Sequence, residues 1–97
     1  MTLFRVPAAH PALPGHFPGR PIVPGVLLLD AVLEAARADG HTPVGVRRAK
    51  FAAPVLPGCD VEIALMSRGG TPRIGFTCRV AGVTVLHGDI ACRTAPI

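Results

Sequence analysis

The chain has 97 residues, of which 49% are hydrophobic and 16% are charged, and its formal net charge is +4. This length suits one compact domain, and the apolar content excludes an intrinsically disordered chain. The longest apolar stretch, Ile22 to Leu29, is much shorter than the roughly 20 residues of a membrane-spanning helix, and no secretory signal is recognisable. We therefore expect a single cytoplasmic domain over residues 1–97 with no membrane span.

The charged residues indicate which kind of partner the chain could bind, and the cysteines indicate whether it has disulfides or a zinc site. Ten Lys and Arg outnumber six Asp and Glu, a balance that would assist the approach of an acidic carrier protein. Nucleic acid is not expected, because the basic residues are scattered and no RNA-binding or helix-turn-helix signature is present. The odd number of cysteines and the lack of a CxxC pair predict free thiols, and no zinc site, at Cys59, Cys78 and Cys92.

A loop rich in proline and glycine dominates the first quarter of the chain, after a short strand predicted near Leu3 to Val6. From His10 to Gly25 the sequence contains five prolines and three glycines, which prevents a regular helix or a central strand. Ordered loops of this kind often carry functional groups. His16 lies inside this loop, where a stiff backbone would hold its imidazole at a defined position.

A helix is predicted from Val26 to Ala38. Pro24 and Gly25 precede it, Asp39 and Gly40 follow it, and its residues are mostly Leu and Ala. Nearly every residue of its first half is apolar, which indicates a buried central helix rather than an amphipathic one.

After this helix the hydrophobic period changes to two, which is typical of half-buried strands. Turn residues at Arg68 to Pro72 and at Ala81-Gly82 indicate antiparallel neighbours. A single buried helix followed by such strands hides its apolar surface if the sheet wraps around it. The predicted fold class is therefore α+β, a hot-dog fold with an antiparallel β-sheet wrapped around one central α-helix. The strands are predicted at Gly45 to Phe51, Val61 to Leu65, Ile74 to Val80 and Val83 to Arg93.

Asp30 is the one charged residue in the first half of the helix and has two interpretations. It lies past the first turn, where a carboxylate cannot cap the helix N-terminus. With Glu34 four residues later it would form an ordinary polar stripe on an exposed face. That spacing brings like charges together, however, and no Lys or Arg occurs at residues 26–36 to offset them, which favours a functional site.

The sequence gives little support for a metal site or for a nucleophile that forms an acyl-enzyme. His10, His16 and Asp30 match no common zinc spacing, so no metal site is predicted. Ser67 in a predicted turn and Cys59 after Pro57-Gly58 lack the strand-turn-helix context of a nucleophile elbow.

One continuous segment carries a family resemblance. From Gly15 to Ala31 the chain reads GHFPGRPIVPGVLLLDA, which resembles the signature of the FabZ and FabA 3-hydroxyacyl-ACP dehydratases. The likeness continues at Lys50-Phe51 and at Pro54 to Gly58. It implies a hot-dog dimer, or a higher oligomer, in which His16 of one subunit faces Asp30 of the other.

The resemblance also implies a reaction, the dehydration of a (3R)-3-hydroxyacyl group on acyl carrier protein to the trans-2-enoyl group. His16 would act as the base, Asp30 as the acid, and the Gly25 N–H would bind the thioester oxygen. Substrate contacts are expected at Phe17, Pro24 and Val26. No cofactor is expected beyond the phosphopantetheine arm that carries the substrate.

Basic residues are the predicted contacts for the acidic carrier protein. Arg20, Arg47, Arg48 and Lys50 are predicted to contact it, although solvated strand faces explain any one of them equally well. The acyl group would belong to fatty acid synthesis or to a specialised pathway, such as aryl-polyene synthesis.

Departures from the family leave other functions open. Asp30 is FabA-like while the loop and the later strands are FabZ-like, so isomerase activity is not inferred. Glu34 replaces a common Gln, Cys59 replaces an Asp, and few residues precede His16. A hot-dog thioesterase that activates water with a carboxylate is one alternative. A catalytically weak subunit of a hetero-oligomeric dehydratase is the other.

Overall fold

A computed structural model describes residues 2–5, 22–67 and 71–93. The elements are β1 (Thr2–Phe4), α1 (Gly25–Ala38), β2 (Pro43–Phe51), β3 (Val61–Ser67), β4 (Arg73–Val80) and β5 (Val83–Cys92). Every strand pairing is antiparallel, and the sheet order is β1-β3-β4-β5-β2. This arrangement matches the predicted α+β class, and each predicted strand is present with small shifts at its ends. Across those three ranges, no helix is long and apolar enough to cross a membrane.

Helix α1 begins and ends where its sequence signals predict. Pro24 has φ −58° and ψ 138°, which is extended backbone, and the helix begins at the next residue. At the other end Gly40 has φ +87°, and the N–H of His41 donates to the carbonyl of Ala36 at 3.0 Å while that of Gly40 donates to Arg37 at 3.0 Å. This Schellman arrangement satisfies the last carbonyl groups of the helix.

The packing of α1 corrects one expectation. The sequence predicts a helix that is buried all around, but only the stripe Leu28, Val32, Ala35 and Ala36 is buried. Val26 is 61% exposed. The sheet of a single chain lies against one side of α1, so the remaining apolar side chains of the helix are only partly covered.

The core lies between this stripe and the central strands. Its fully buried members come from α1, β3, β4 and β5, and each strand presents alternate residues to the helix. Among the described residues, no buried side chain is polar or charged. The largest fully buried side chains are Val32, Val61, Ile63, Cys78, Leu86 and Ile90.

A two-residue turn joins β4 to β5, as the sequence predicts. Ala81 has φ +49° and Gly82 has φ +82°, and Val80 pairs with Val83 across the turn. Two consecutive positive φ values are the requirement of a type I′ turn, whose twist suits antiparallel neighbours. This turn fixes the register of the central hairpin.

Strand β2 differs from the others because it is an edge strand with irregular pairing. Its register against β5 shifts between Pro43 and Gly45 and again between Val46 and Arg48. At the second shift the backbone of Arg48 approaches Gly88 so closely that a Cβ on Gly88 would lie 1.9 Å from the Arg48 carbonyl oxygen. No residue of β2 is buried.

Candidate active site

Asp30 lies on the rim of a cavity of about 660 Å³ between α1 and β1. The walls are mainly apolar and include Phe4, Leu27, Ala31 and Ile63. This volume lies within the range of about 300–1,000 Å³ that is usual for ligand pockets. A carboxylate on the rim of an apolar cavity suits chemistry on a substrate that is mostly hydrocarbon.

The two carboxylates of α1 have different surroundings. Glu34 also lines the cavity, and its side chain pairs with Arg37, three residues later. Arg37 lies just beyond residues 26–36 and offsets the charge of Glu34, so the two carboxylates repel each other less than their spacing alone predicts. Asp30, by contrast, is exposed and makes no ion pair with any other residue that the structure describes.

The first turn of α1 offers backbone donors on the same helix as Asp30. No side chain caps the helix, and its first turn contains no acidic residue. The N–H groups at the start of a helix lack intrahelical acceptors and carry partial positive charge. Gly25 supplies the first of them, and Asp30 follows about 7.5 Å further along the helix axis at 1.5 Å per residue.

A second cavity of about 270 Å³ lies at the N-terminal end of α1. It is bordered by Gly25, Leu28, Val55 and the ring of Phe51. The sequence identifies Phe51 only as part of a motif and predicts no site role for it. The available signal was an aromatic residue at the end of a basic strand.

Two of the predicted carrier-protein contacts, Arg48 and Lys50, are on the other side of the sheet. Arg48 and Lys50 pair with Asp89 and His87 on β5, and all four line a groove of about 630 Å³. The residues that alternate with them on β5 are buried against the core. Arg48 and Lys50 therefore lie on the sheet face opposite α1 and Asp30.

Three predicted site residues, His16, Phe17 and Arg20, lie outside the described residues. The structure therefore does not test the predicted pairing of His16 with Asp30. Pro24 is half-buried and Val26 is exposed at the start of α1. In the part of the chain that is described, no group of three or more His, Cys, Asp and Glu side chains could hold a metal ion.

The cysteines are free thiols, as predicted. Cys78 is fully buried among apolar neighbours, and this burial raises the pKa of its thiol from 9.0 to about 11. Burial also raises the pKa of Cys92. A thiol that stays protonated at neutral pH is a poor nucleophile, so Cys78 and Cys92 do not support acyl-enzyme chemistry.

Comparison with known proteins gives one consistent family. A sequence model described as ApeI-like, ApeI dehydratase, matches residues 1–89. The 3-hydroxyacyl-[acyl-carrier-protein] dehydratase FabZ of Bartonella quintana is 36% identical over 95 residues, which cover 84% of this chain and 61% of the relative. The FabZ of Haemophilus influenzae strain PittEE is 37% identical over 93 residues, with the same coverage. The chain thus spans 61% of the length of these curated relatives.

A solved structure extends the likeness to the fold. The dehydratase heterocomplex ApeI:P from Xenorhabdus doucetiae contains a chain that matches with a TM-score of 0.78 and 25% identity, over 94% of this chain and 84% of that one. The predicted hot-dog fold is thereby confirmed.

Proposed function

We propose, because this chain belongs to the ApeI-like dehydratase family, that it dehydrates 3-hydroxyacyl thioesters held on an acyl carrier protein. The observation that carries the proposal is the position of Asp30, on the rim of an apolar cavity and a short distance along α1 from the backbone N–H of Gly25. The curated relatives are named for this reaction.

The reaction needs a base, an acid and donors for a developing negative charge. In this proposal His16 removes the proton from C2, and the electrons of that C–H bond form the C2=C3 double bond. Asp30 donates its proton to the 3-hydroxyl group as the C3–O bond breaks, and water leaves. The Gly25 N–H donates to the thioester oxygen, and a proton passes from His16 back to Asp30 before the next turnover.

The proposal includes a second hot-dog chain that pairs with the first through the edge strand β2. Val44 and Phe51 of β2 are 60% and 50% exposed, and an edge strand leaves backbone donors and acceptors available for pairing with another strand. Continuation of the sheet across β2 would cover these side chains. The family resemblance then implies that His16 of one subunit faces Asp30 of the other. The complex from Xenorhabdus doucetiae is named a heterocomplex, which supports a partner chain that differs from this one. An identical chain is the alternative partner.

The acidic carrier protein would contact Arg20, Arg47, Arg48 and Lys50. Arg48 and Lys50 lie side by side on the outer face of the sheet, where they are accessible to a large partner. The double substitution of Arg47 and Arg48 to Glu should raise KM for carrier-bound substrate much more than KM for a free pantetheine thioester. Equal changes in the two constants would contradict this contact.

The proposed reaction is tested with the purified 97-residue chain and a set of 3-hydroxyacyl carrier proteins. Intact-protein mass spectrometry should show the loss of one water molecule from the acyl carrier. Asp30→Asn and His16→Ala should each lower the rate about 100- to 10,000-fold, the usual contribution of a general acid or base. Asp39→Asn is the matched control, because Asp39 is an exposed carboxylate at the other end of α1, and it should leave the rate unchanged.

The remaining outcomes separate the alternatives. Release of free carrier thiol without an enoyl product would identify a thioesterase. Turnover that survives Asp30→Asn would refute the assigned role of this residue. If the chain alone produces neither product, its dehydratase activity as an isolated protein is refuted, and the subunit hypothesis is then tested by adding a second hot-dog chain purified from the same cells.

A further inference from the structure

The ring of Phe51 occupies the space that a side chain at Gly25 would need. A Cβ on Gly25 would lie 2.7 Å from Cζ and 2.8 Å from Cε1 of Phe51, far closer than carbon atoms can approach without repulsion. A side chain at Gly25 would therefore have to displace the outer end of this ring. Proximity to a substrate is not the only reason for a glycine at this position.

Backbone hydrogen bonds hold both sides of this contact in place. After Phe51, the N–H of Ala52 donates to the carbonyl of Val85 at 2.8 Å. Before Gly25, the N–H of Val23 donates to the carbonyl of Val55 at 2.8 Å. The segment that follows β2 and the segment that precedes α1 are thus tied together on either side of the 270 Å³ cavity.

Phe51 is also half exposed, although its strand partner Leu86 is fully buried. Full burial of an aromatic side chain contributes about 1.5–3 kcal/mol, and part of that contribution is not realised within this chain. The ring borders a cavity that Gly25, the first residue of α1, also lines. An aromatic wall next to a few polar donors is the usual composition of a small-molecule site.

We propose that Phe51 is a substrate-contacting residue that sets the direction from which the thioester reaches the Gly25 amide; this inference rests on the proposed dehydratase function. The ring fills the side of Gly25 on which a Cβ would stand, so the thioester approaches from the amide side. Its apolar face packs against the thioester and the adjoining methylene groups. The 3-hydroxyl group is thereby directed along α1 toward Asp30.

A cycle of single and double substitutions tests this role with a 3-hydroxyacyl pantetheine thioester as substrate. Phe51→Ala should lower kcat/KM about 100-fold, the cost of a misplaced reacting group, and Phe51→Leu should lower it less. Gly25→Ala should be as damaging as Phe51→Ala, because the new methyl group displaces the ring. In the Phe51→Ala background, Gly25→Ala should cost less than about threefold, because the ring that it displaces is gone.

The control is Leu56→Ala, since Leu56 is 56% exposed, close to the 50% of Phe51, and does not line the cavity. It should leave kcat/KM unchanged. The midpoint of thermal unfolding and the mass of the assembly in solution are measured for every variant. If the role of Phe51 were only structural, its substitution would change these two quantities and leave the kinetics of the folded protein intact. Folded Phe51 variants with full activity, or a Gly25→Ala effect of equal size in both backgrounds, would overturn the role of Phe51. An inactive unaltered chain would refute the proposed function, and the role of Phe51 with it.

Discussion

The centre and the β2 edge of the sheet are built in different ways. In the centre, β3, β4 and β5 contribute Ile63, Cys78, Leu86 and Ile90, which are all fully buried. At the edge, β2 has nine residues and none of them is buried. The centre is held together by contacts within this chain, whereas β2 is fixed on one side only, by its pairing with β5.

The exposed residues at the candidate site lie where α1 and β2 are not covered by the rest of the chain. Asp30 and Val26 lie on the part of α1 that the sheet does not cover, and Phe51 ends the uncovered strand. The buried core, in the part of the chain that the structure describes, contains no polar or charged side chain. This fold therefore separates the residues that stabilise one chain from the residues that are available to a substrate or a second chain.

The largest expected effect concerns the junction of the two regions, where Gly88 of β5 meets β2. Gly88→Ala places a Cβ 1.9 Å from the Arg48 carbonyl oxygen, and backbone cannot move aside as a flexible side chain can. We expect a loss of about 3 kcal/mol in the free energy of unfolding, at the upper end for overpacked sites. Urea unfolding measures it. Gly45→Ala on β2 is the control, because a Cβ at Gly45 would meet no atom of a non-adjacent residue within 4 Å; equal losses would contradict the close approach.

The next effect tests whether water is excluded from the buried thiol of Cys78 in the centre of the sheet. Burial raises the pKa of this thiol from 9.0 to about 11, so the unfolded chain releases this proton at lower pH than the folded one does. The stability due to the protonated thiol is fully present below about pH 9 and is lost as pH rises toward about pH 11, by about 3 kcal/mol in total. Urea unfolding across this range should show the loss in the unaltered protein, and a smaller loss in Cys78→Ala. Equal slopes in the two proteins would indicate that water reaches the thiol.

A smaller effect tests the edge as a subunit contact. Val44→Lys places a charge on the exposed edge strand, a substitution that opposes strand pairing between chains. We expect the dissociation constant of the assembly to rise about tenfold, equivalent to about 1.4 kcal/mol, as measured by analytical ultracentrifugation. Val83→Lys provides the matched control, because Val83 is 59% exposed and Val44 is 60% exposed, but Val83 lies at the turn between β4 and β5. An assembly weakened equally by both substitutions would argue against pairing through β2.

The smallest effect concerns the ion pair between Arg5 and Asp60, with an N–O distance of 2.8 Å. It joins the end of β1 to the residue before β3. Both side chains are more than half exposed, so solvent and salt screen the attraction. Arg5→Ala should change the free energy of unfolding by less than about 0.5 kcal/mol. A loss above about 1.5 kcal/mol, well beyond the usual range for exposed pairs, would mean that β1 depends on this pair.

Part of the site could be predicted from sequence, and part could not. The motif from Gly15 to Ala31 and its continuation at Pro54 to Gly58 indicated the family, and Asp30 and Gly25 stood out because of their positions within and at the start of one helix. The contact between Gly25 and Phe51 could not be predicted, because the two residues are brought together only when the segment after β2 pairs with the segment before α1. The pairing of His16 with Asp30 stays a prediction.

The order and type of the elements follow from the sequence alone, because the signals for them are local. Pro24 and Gly25 before α1, Gly40 after it, the alternation along β4 and the Ala81-Gly82 turn act over a few residues each. The tertiary structure alone decided which side of α1 is buried, why Gly88 must be glycine, and that Arg48 and Lys50 face away from Asp30. Each of these depends on contacts between residues distant in sequence, and a shift of one residue in the pairing of β2 with β5 would reverse the faces of its side chains.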